Sequence, residues 1–311
     1  MTFRRFLSGL VAITLPVVAF AGSDKEVASN NLAAPAVAPP PFRFSGELLV
    51  EQSFGGGSDV ARENFHINDF EEAYTNLKFV YTPRVKYGII RAGAQFERYS
   101  FGFDHGGAQL PNSLQAVNVV IGFDTQLSDS ILVRLEAQPG FYGTTFDHFD
   151  GEQFNIPVVL GGTYIYSPNL QFVLGLGVNI QQRYPVLPGG GIRWKFAPQW
   201  ILNAVLPTPR LEYELNKSVT LFAGADIKAN TFRVDNEFGN SHGDTSLNSA
   251  WLSYEEVRAG AGIDWKLTSS LTLRLEGGYV PYRDFDYHRT EVRYHDEGGG
   301  PYGAIQLQGA F

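Results

Sequence analysis

The residues best equipped for chemistry in this 311-residue chain are its six histidines: His66, His105, His148, His242, His288 and His295. All of them fall in polar, glycine-rich stretches. Carboxylates stand beside several, in Asp104-His105, Asp147-His148-Phe149-Asp150 and His295-Asp296-Glu297. Imidazole with carboxylate can hold a divalent metal. The tight spacings of zinc and metalloprotease sites are missing, however, so these read as polar loop tips, with no metal and no cofactor expected. A nucleophilic serine needs a base within hydrogen-bond reach. Ser241-His242 and Ser100 near His105 come nearest to such a pair. Sequence neighbours on a strand point to opposite faces, so no catalytic residue is assigned and an enzyme is not expected. The chain has no cysteine, which excludes disulfides and thiol chemistry.

The segments that must position these stretches alternate with period two. In Leu170–Ile180 every second residue is a large apolar one. Leu271, Leu273 and Leu275 share one face, and Thr272, Arg274 and Glu276 the other. Ile131, Val133 and Leu135 oppose Arg134 and Glu136; Ile192, Trp194 and Phe196 oppose Arg193 and Lys195. Such alternation marks strands lying between two environments. Short connections rich in Pro, Ser, Asn and Asp, such as Tyr166-Ser167-Pro168-Asn169-Leu170 and Leu267–Leu271, interleave with longer Gly-rich, acidic ones at 55–66, 104–113, 146–153, 183–190, 236–249 and 285–298. Pro207-Thr208-Pro209 is the one short member of the second set. The spacing predicts an all-β, antiparallel transmembrane β-barrel of about 14 strands, or 12, with short periplasmic turns and longer outer loops. Tyr81, Tyr87, Tyr166, Phe172, Trp194, Phe196, Trp200, Tyr213 and Trp265 crowd the short-turn ends, where an interfacial girdle belongs.

Residues 1–21 read as a secretory signal: Arg4 and Arg5, an apolar Leu7–Phe20 stretch, then Ala19-Phe20-Ala21 as the cleavage site. Residues 22–41 form an Ala/Pro-rich periplasmic linker, and 42–311 the barrel. No later stretch has the ~20 apolar residues of a helical span. A net charge of −8 argues against nucleic acid as a partner. The expected location is the outer membrane of a Gram-negative envelope, in contact with outer-membrane lipid and lipopolysaccharide.

Parity assigns a set of charges to the barrel interior: Glu47, Glu51, Lys78, Arg91, Glu97, Arg134, Glu136, Arg193, Lys195, Glu212, Glu214, Asp226, Lys228, Arg258, Asp264, Arg274 and Glu276. Facing lipid near the midplane, each would cost about 2–4 kcal/mol. Inside they either pair or line a polar pore, and Arg274 with Glu276 reads as one such pair. The expected function is a passive channel for small polar solutes. The alternatives are a structural or adhesive envelope barrel and, behind both, a lipid-modifying outer-membrane enzyme. The charged interior argues against an apolar inner path.

The ending Gly303–Phe311 resembles the C-terminal strand signal of bacterial outer-membrane proteins. That resemblance implies a barrel-assembly machinery as partner and Phe311 as the assembly signal. The segment Gly191-Ile-Arg-Trp-Lys-Phe-Ala-Pro-Gln-Trp-Ile-Leu-Asn-Ala-Val-Leu-Pro-Thr-Pro-Arg-Leu-Glu-Tyr213 resembles an uncharacterised family of predicted outer-membrane β-barrels, a domain of unknown function. It implies a barrel and no particular activity.

Overall fold

The computed structural model describes residues 45–63, 65–104, 107–145 and 151–311. The signal segment, the 22–41 linker, His105 and His148 lie outside the described residues. Fourteen antiparallel strands close into a barrel: β1 (Gly46–Arg62), β2 (Phe65–Tyr81), β3 (Gly88–Gly102), β4 (Ser113–Ser128), β5 (Ile131–Ala137), β6 (Val158–Ser167), β7 (Leu170–Val178), β8 (Val186–Lys195), β9 (Trp200–Val205), β10 (Arg210–Glu214), β11 (Val219–Arg233), β12 (Trp251–Lys266), β13 (Leu271–His288) and β14 (Gly300–Ala310). Each strand pairs with the next, and β14 closes on β1 from Glu47↔Ala310 to Gly55↔Tyr302. The seam is finished by Phe311 N–H on Gly46 O at 2.9 Å. Closure leaves no edge, which is what lipid demands of a sheet.

Outward positions carry the apolar alternation. Leu77, Phe79, Val119, Ile121, Leu135, Leu160, Leu174 and Leu275 are all exposed on the isolated chain, as are the girdle residues Tyr87, Tyr166, Trp194, Trp200 and Trp265 beside the short turns. Together they form the apolar band and aromatic belt of a membrane wall.

The wall is uneven in height. Strands β1 to β4 have 15–17 residues and β11 to β13 have 15–18, whereas β9 has 6 and β10 has 5. Several expected outer loops are therefore strand: β1 and β2 run on through most of 55–66, and β13 reaches His288. Gly-rich composition suggested loops there, yet pairing with a neighbouring strand holds such residues extended.

Strand β5 continues past Pro139 as Gly140–Gly143, keeping its register on β4 (Ile121↔Ala137, then Asn118↔Gly140). It then meets β11 directly, Gly143 pairing with Arg233. The barrel thus has two tiers. The lower one contains all fourteen strands. The upper one closes from β5 straight to β11, leaving β6 to β10 below it.

One irregularity redirects side chains. On β13, Val280 and Pro281 stand opposite Arg258 alone, between the pairs Ala259↔Tyr279 and Val257↔Tyr282. Proline has no N–H to offer the ladder, and a bulge is where it fits. The extra residue reverses parity, so Arg274 and Glu276 face inward below the bulge and Arg283, Phe285 and Tyr287 above it.

Candidate functional site in the barrel interior

The inward charges assemble into ion-pair networks. Near the lower end, Arg91 on β3 donates to both oxygens of Glu47 at 2.9 and 2.8 Å and through Nε to Glu136 at 3.0 Å; Lys78 reaches Glu136 at 3.3 Å. Arg134 holds Asp124 in a bidentate pair, 2.7 Å each. Across the lumen Arg210 joins Glu212 at 2.8 Å and Asp264 at 3.5 Å, Arg193 reaches Glu212 at 3.5 Å, and Lys195 pairs with Glu214. Lys228 bridges Glu51 at 2.9 Å and Asp226 at 3.4 Å. Arg274 grips Asp264 on β12 at 2.6 and 2.9 Å, and Glu276 accepts from the Tyr302 hydroxyl. The cross-strand pair forms because Asp264 stands directly opposite Arg274.

Of a second network, the parity reading found Arg258 and missed Glu72, Glu256 and Arg283. Arg258 donates to Glu72 at 2.9 Å and to Ser53 at 2.7 Å and also binds Glu256. Arg283 lies within 3.3 Å of both Glu72 and Glu256 and donates to Ser58 at 2.8 Å. The Tyr254 hydroxyl bridges the two carboxylates. Two guanidiniums thus meet two carboxylates, all buried. Glu72 and Glu256 share the parity of Lys78 and Arg258, so that signal could have found them. Arg283 could not be found this way, because the bulge inverts its strand.

Above this network the interior is apolar. Phe70, Tyr99, Phe101, Tyr142, Phe232, Tyr254, Phe285 and Tyr287 form a buried core, with ring centroids 4.8 Å apart for Tyr99–Tyr254 and 5.3 Å for Phe101–Phe285. The charged inward positions had argued against an apolar inner path. That argument holds for the lower tier only, since the upper tier is narrow enough for aromatic side chains to fill it. Two loops cover its top. Leu110 from one and Phe238 and Leu247 from the other are buried in the core, and Gln109 Nε2 ties the loops together through His242 O at 3.2 Å.

Between the aromatic core and the lower ion pairs lies a cavity of about 170 Å³. Glu51, Lys78, Gln95, Glu97, Arg210, Lys228 and Asn230 are among its lining residues. Glu97 accepts from Tyr74 and Tyr99 hydroxyls at 3.0 Å each and from Asn230 at 2.8 Å. Gln95 Oε1 is buried beside the cavity with no hydrogen-bond partner among the described residues. Gly177 lines the opposite side of the cavity; one pair further down, Gly161, Gly175 and Gly189 stand side by side at inward positions on β6 to β8, and a Cβ added at Gly161 would meet nothing within 4 Å.

The histidine-rich loops build no comparable site. Among the described residues no three His, Asp or Glu side chains converge as a metal site would need. His66 pairs with Glu297 at 3.0 Å. Ser241 and His242 lie on a helical turn, Phe238–Ser241 and its cap, rather than on a strand, so their side chains do meet, Oγ to Nδ1 at 3.0 Å. Nδ1 is also 2.7 Å from the Phe238 carbonyl. A nitrogen donating to that carbonyl has no lone pair left to accept the serine proton. In the same loop Ser246 donates to Asp244 through its hydroxyl and its N–H, which holds that carboxyl below its ordinary value.

Fold and interior together define a closed, antiparallel fourteen-stranded barrel of the membrane-spanning type, 4% helical, with a charge-paired lower lumen and a filled outer end. The model of the DUF6268 family, a domain of unknown function, matches residues 89–295, and the chain belongs to that family. No curated protein sequence matches the chain. Among solved structures it is similar to an outer membrane channel from Pseudomonas putida F1 (TM-score 0.48, 6% identity, 89% of this chain and 99% of that one). It is also similar to the toluene transporter TbuX from Ralstonia pickettii (TM-score 0.44, 9% identity, 87% and 90%) and to the NanC porin (TM-score 0.39, 11% identity, 85% and 100%).

Proposed function

We propose that the chain is an outer-membrane barrel acting as a narrow channel for small polar solutes, with its outer mouth closed at rest. The apolar outward band and aromatic belt support the location. The observation that carries the channel reading is the cavity of about 170 Å³ beneath the aromatic core, lined by charges of both signs. A barrel that served only as a wall gains nothing from four inward glycines where side chains could fill the lumen. Mixed, paired charges make weak ion selectivity. Opening requires the loop over the mouth and the aromatic core beneath it to shift.

A structural barrel without transport is the rival reading, favoured by the filled outer end. Planar-bilayer recording separates the two. Purified, refolded wild type should give small, infrequent conductance steps, and a variant with 236–249 replaced by a short Gly-Ser linker should give larger, more frequent ones. Silence from both proteins, with folding confirmed by heat-modifiable mobility, would sink the channel reading and support the structural one.

A further inference from the structure

Strand β9 rises only six residues from the girdle at Trp200 before the Leu206–Pro209 corner turns the chain back down. At about 3.3 Å per residue and a tilt of about 40°, that is a height of about 15 Å, against an apolar band of about 25 Å. A membrane-spanning strand needs about 9–11 residues. The flanking strands continue upward without the hairpin between them. The last pairing of β8 toward β9 is Gly191↔Val205, followed by Leu206 N–H on Gly190 O. The last contact of β11 toward β10 is Ile227 N–H on Pro207 O. Higher on β11, the Thr231 N–H turns instead to the Asn230 side chain at 3.0 Å. Among the described residues, a strand neighbour on this edge returns at Arg233, on Gly143.

The cavity reports the same gap. Its lining includes every residue of β11 from Gly224 to Asn230. The cavity therefore borders β11 along the stretch where its edge loses the hairpin. The outward residues there, Ala225, Ile227 and Ala229, are apolar and partly exposed. On the other side of the gap Val186 is 56% and Leu174 76% exposed. Unpaired edges at hydrocarbon depth are tolerated where they line a cavity. The 179–185 turn crosses the upper rim, where Arg183 holds Asp286 of β13 at 3.1 Å.

We propose that β8, the β9–β10 corner and β11 frame a lateral portal through which a small uncharged amphiphile passes between the bilayer and the cavity. The size follows from the volume: a cavity of about 150 Å³ holds one benzene ring, and this one is about 170 Å³. The lack of charge follows from the route, since a charged group does not cross hydrocarbon cheaply.

The test is photolabelling in proteoliposomes with an aryl diazirine of one-ring size dissolved in the bilayer. Modified residues are mapped by mass spectrometry, with phenol as competitor. An open portal places label on the inward residues Leu187, Lys228 and Asn230 as well as on outward Leu174. The inward label should fall several-fold with excess phenol, and several-fold in Ala229→Trp, whose folding is checked separately. Label confined to outward residues in the folded wild type overturns the portal. Inward label that neither phenol nor Ala229→Trp reduces overturns it as well. Conductance is an independent readout: a silent barrel that still labels inside loses the channel reading and keeps the portal, and a conducting barrel labelled only outside does the reverse.

Discussion

Arg91 holds Glu47 through two parallel hydrogen bonds of 2.9 and 2.8 Å, reaching across the intervening strand β2. The Arg91 side chain is 0% exposed and Glu47 9%. Losing one partner of such a pair leaves a buried, uncompensated charge, a cost of about 3–5 kcal/mol. Arg91→Met should therefore lower the urea midpoint of the refolded barrel, and adding Glu47→Gln should recover part of the loss. Equal midpoints for wild type and Arg91→Met would show that this network contributes little.

Gly161 faces the lumen with open space where a side chain would stand. Gly161→Leu should fold normally and reduce single-channel conductance several-fold by filling the small-residue wall. Unchanged conductance would place the solute path away from β6 to β8.

Topology is testable because the chain has no cysteine of its own. Thiols introduced at Asn240 and Gly298 should react with an impermeant maleimide on intact cells, and thiols at Pro198 and Ser269 should not. Gly298 is chosen because a Cβ there meets nothing within 4 Å, whereas at Gly299, with φ +64°, it would run into the Val280 carbonyl. The reverse labelling pattern would invert the orientation.

Phe311 ends the last strand at the seam with β1, 54% exposed on the lipid side. Deleting it should lower the yield of heat-modifiable barrel in the membrane fraction several-fold, as expected of a side chain read by an assembly machinery. Unchanged yield would move the signal elsewhere.

Export itself has a simple check. The mature protein should begin at Gly22 and sediment with outer membranes; an intact Met1 on N-terminal sequencing would refute cleavage after Ala21.

The sequence by itself determined the barrel, because period-two alternation is a local property: each strand's apolar face is legible from its own residues, as in Leu271, Leu273 and Leu275. It also determined which charges face inward wherever the pleat is regular, Glu47, Arg91 and Arg274 among them. What each of those charges pairs with was decided by register, which brings Asp264 on β12 to Arg274. Arg283 was hidden by a bulge that one extra residue on β13 creates, and a bulge is a relation between two strands. The uneven wall and the aromatic core have the same origin. Whether Gly140–Gly143 continues β5 or ends it depends on β11 lying within reach of Gly143, a contact between residues 90 apart in sequence. That contact narrows the upper tier until Tyr99, Phe232 and Phe285 fill it, and it leaves the gap over β9 and β10 that no local pattern announces.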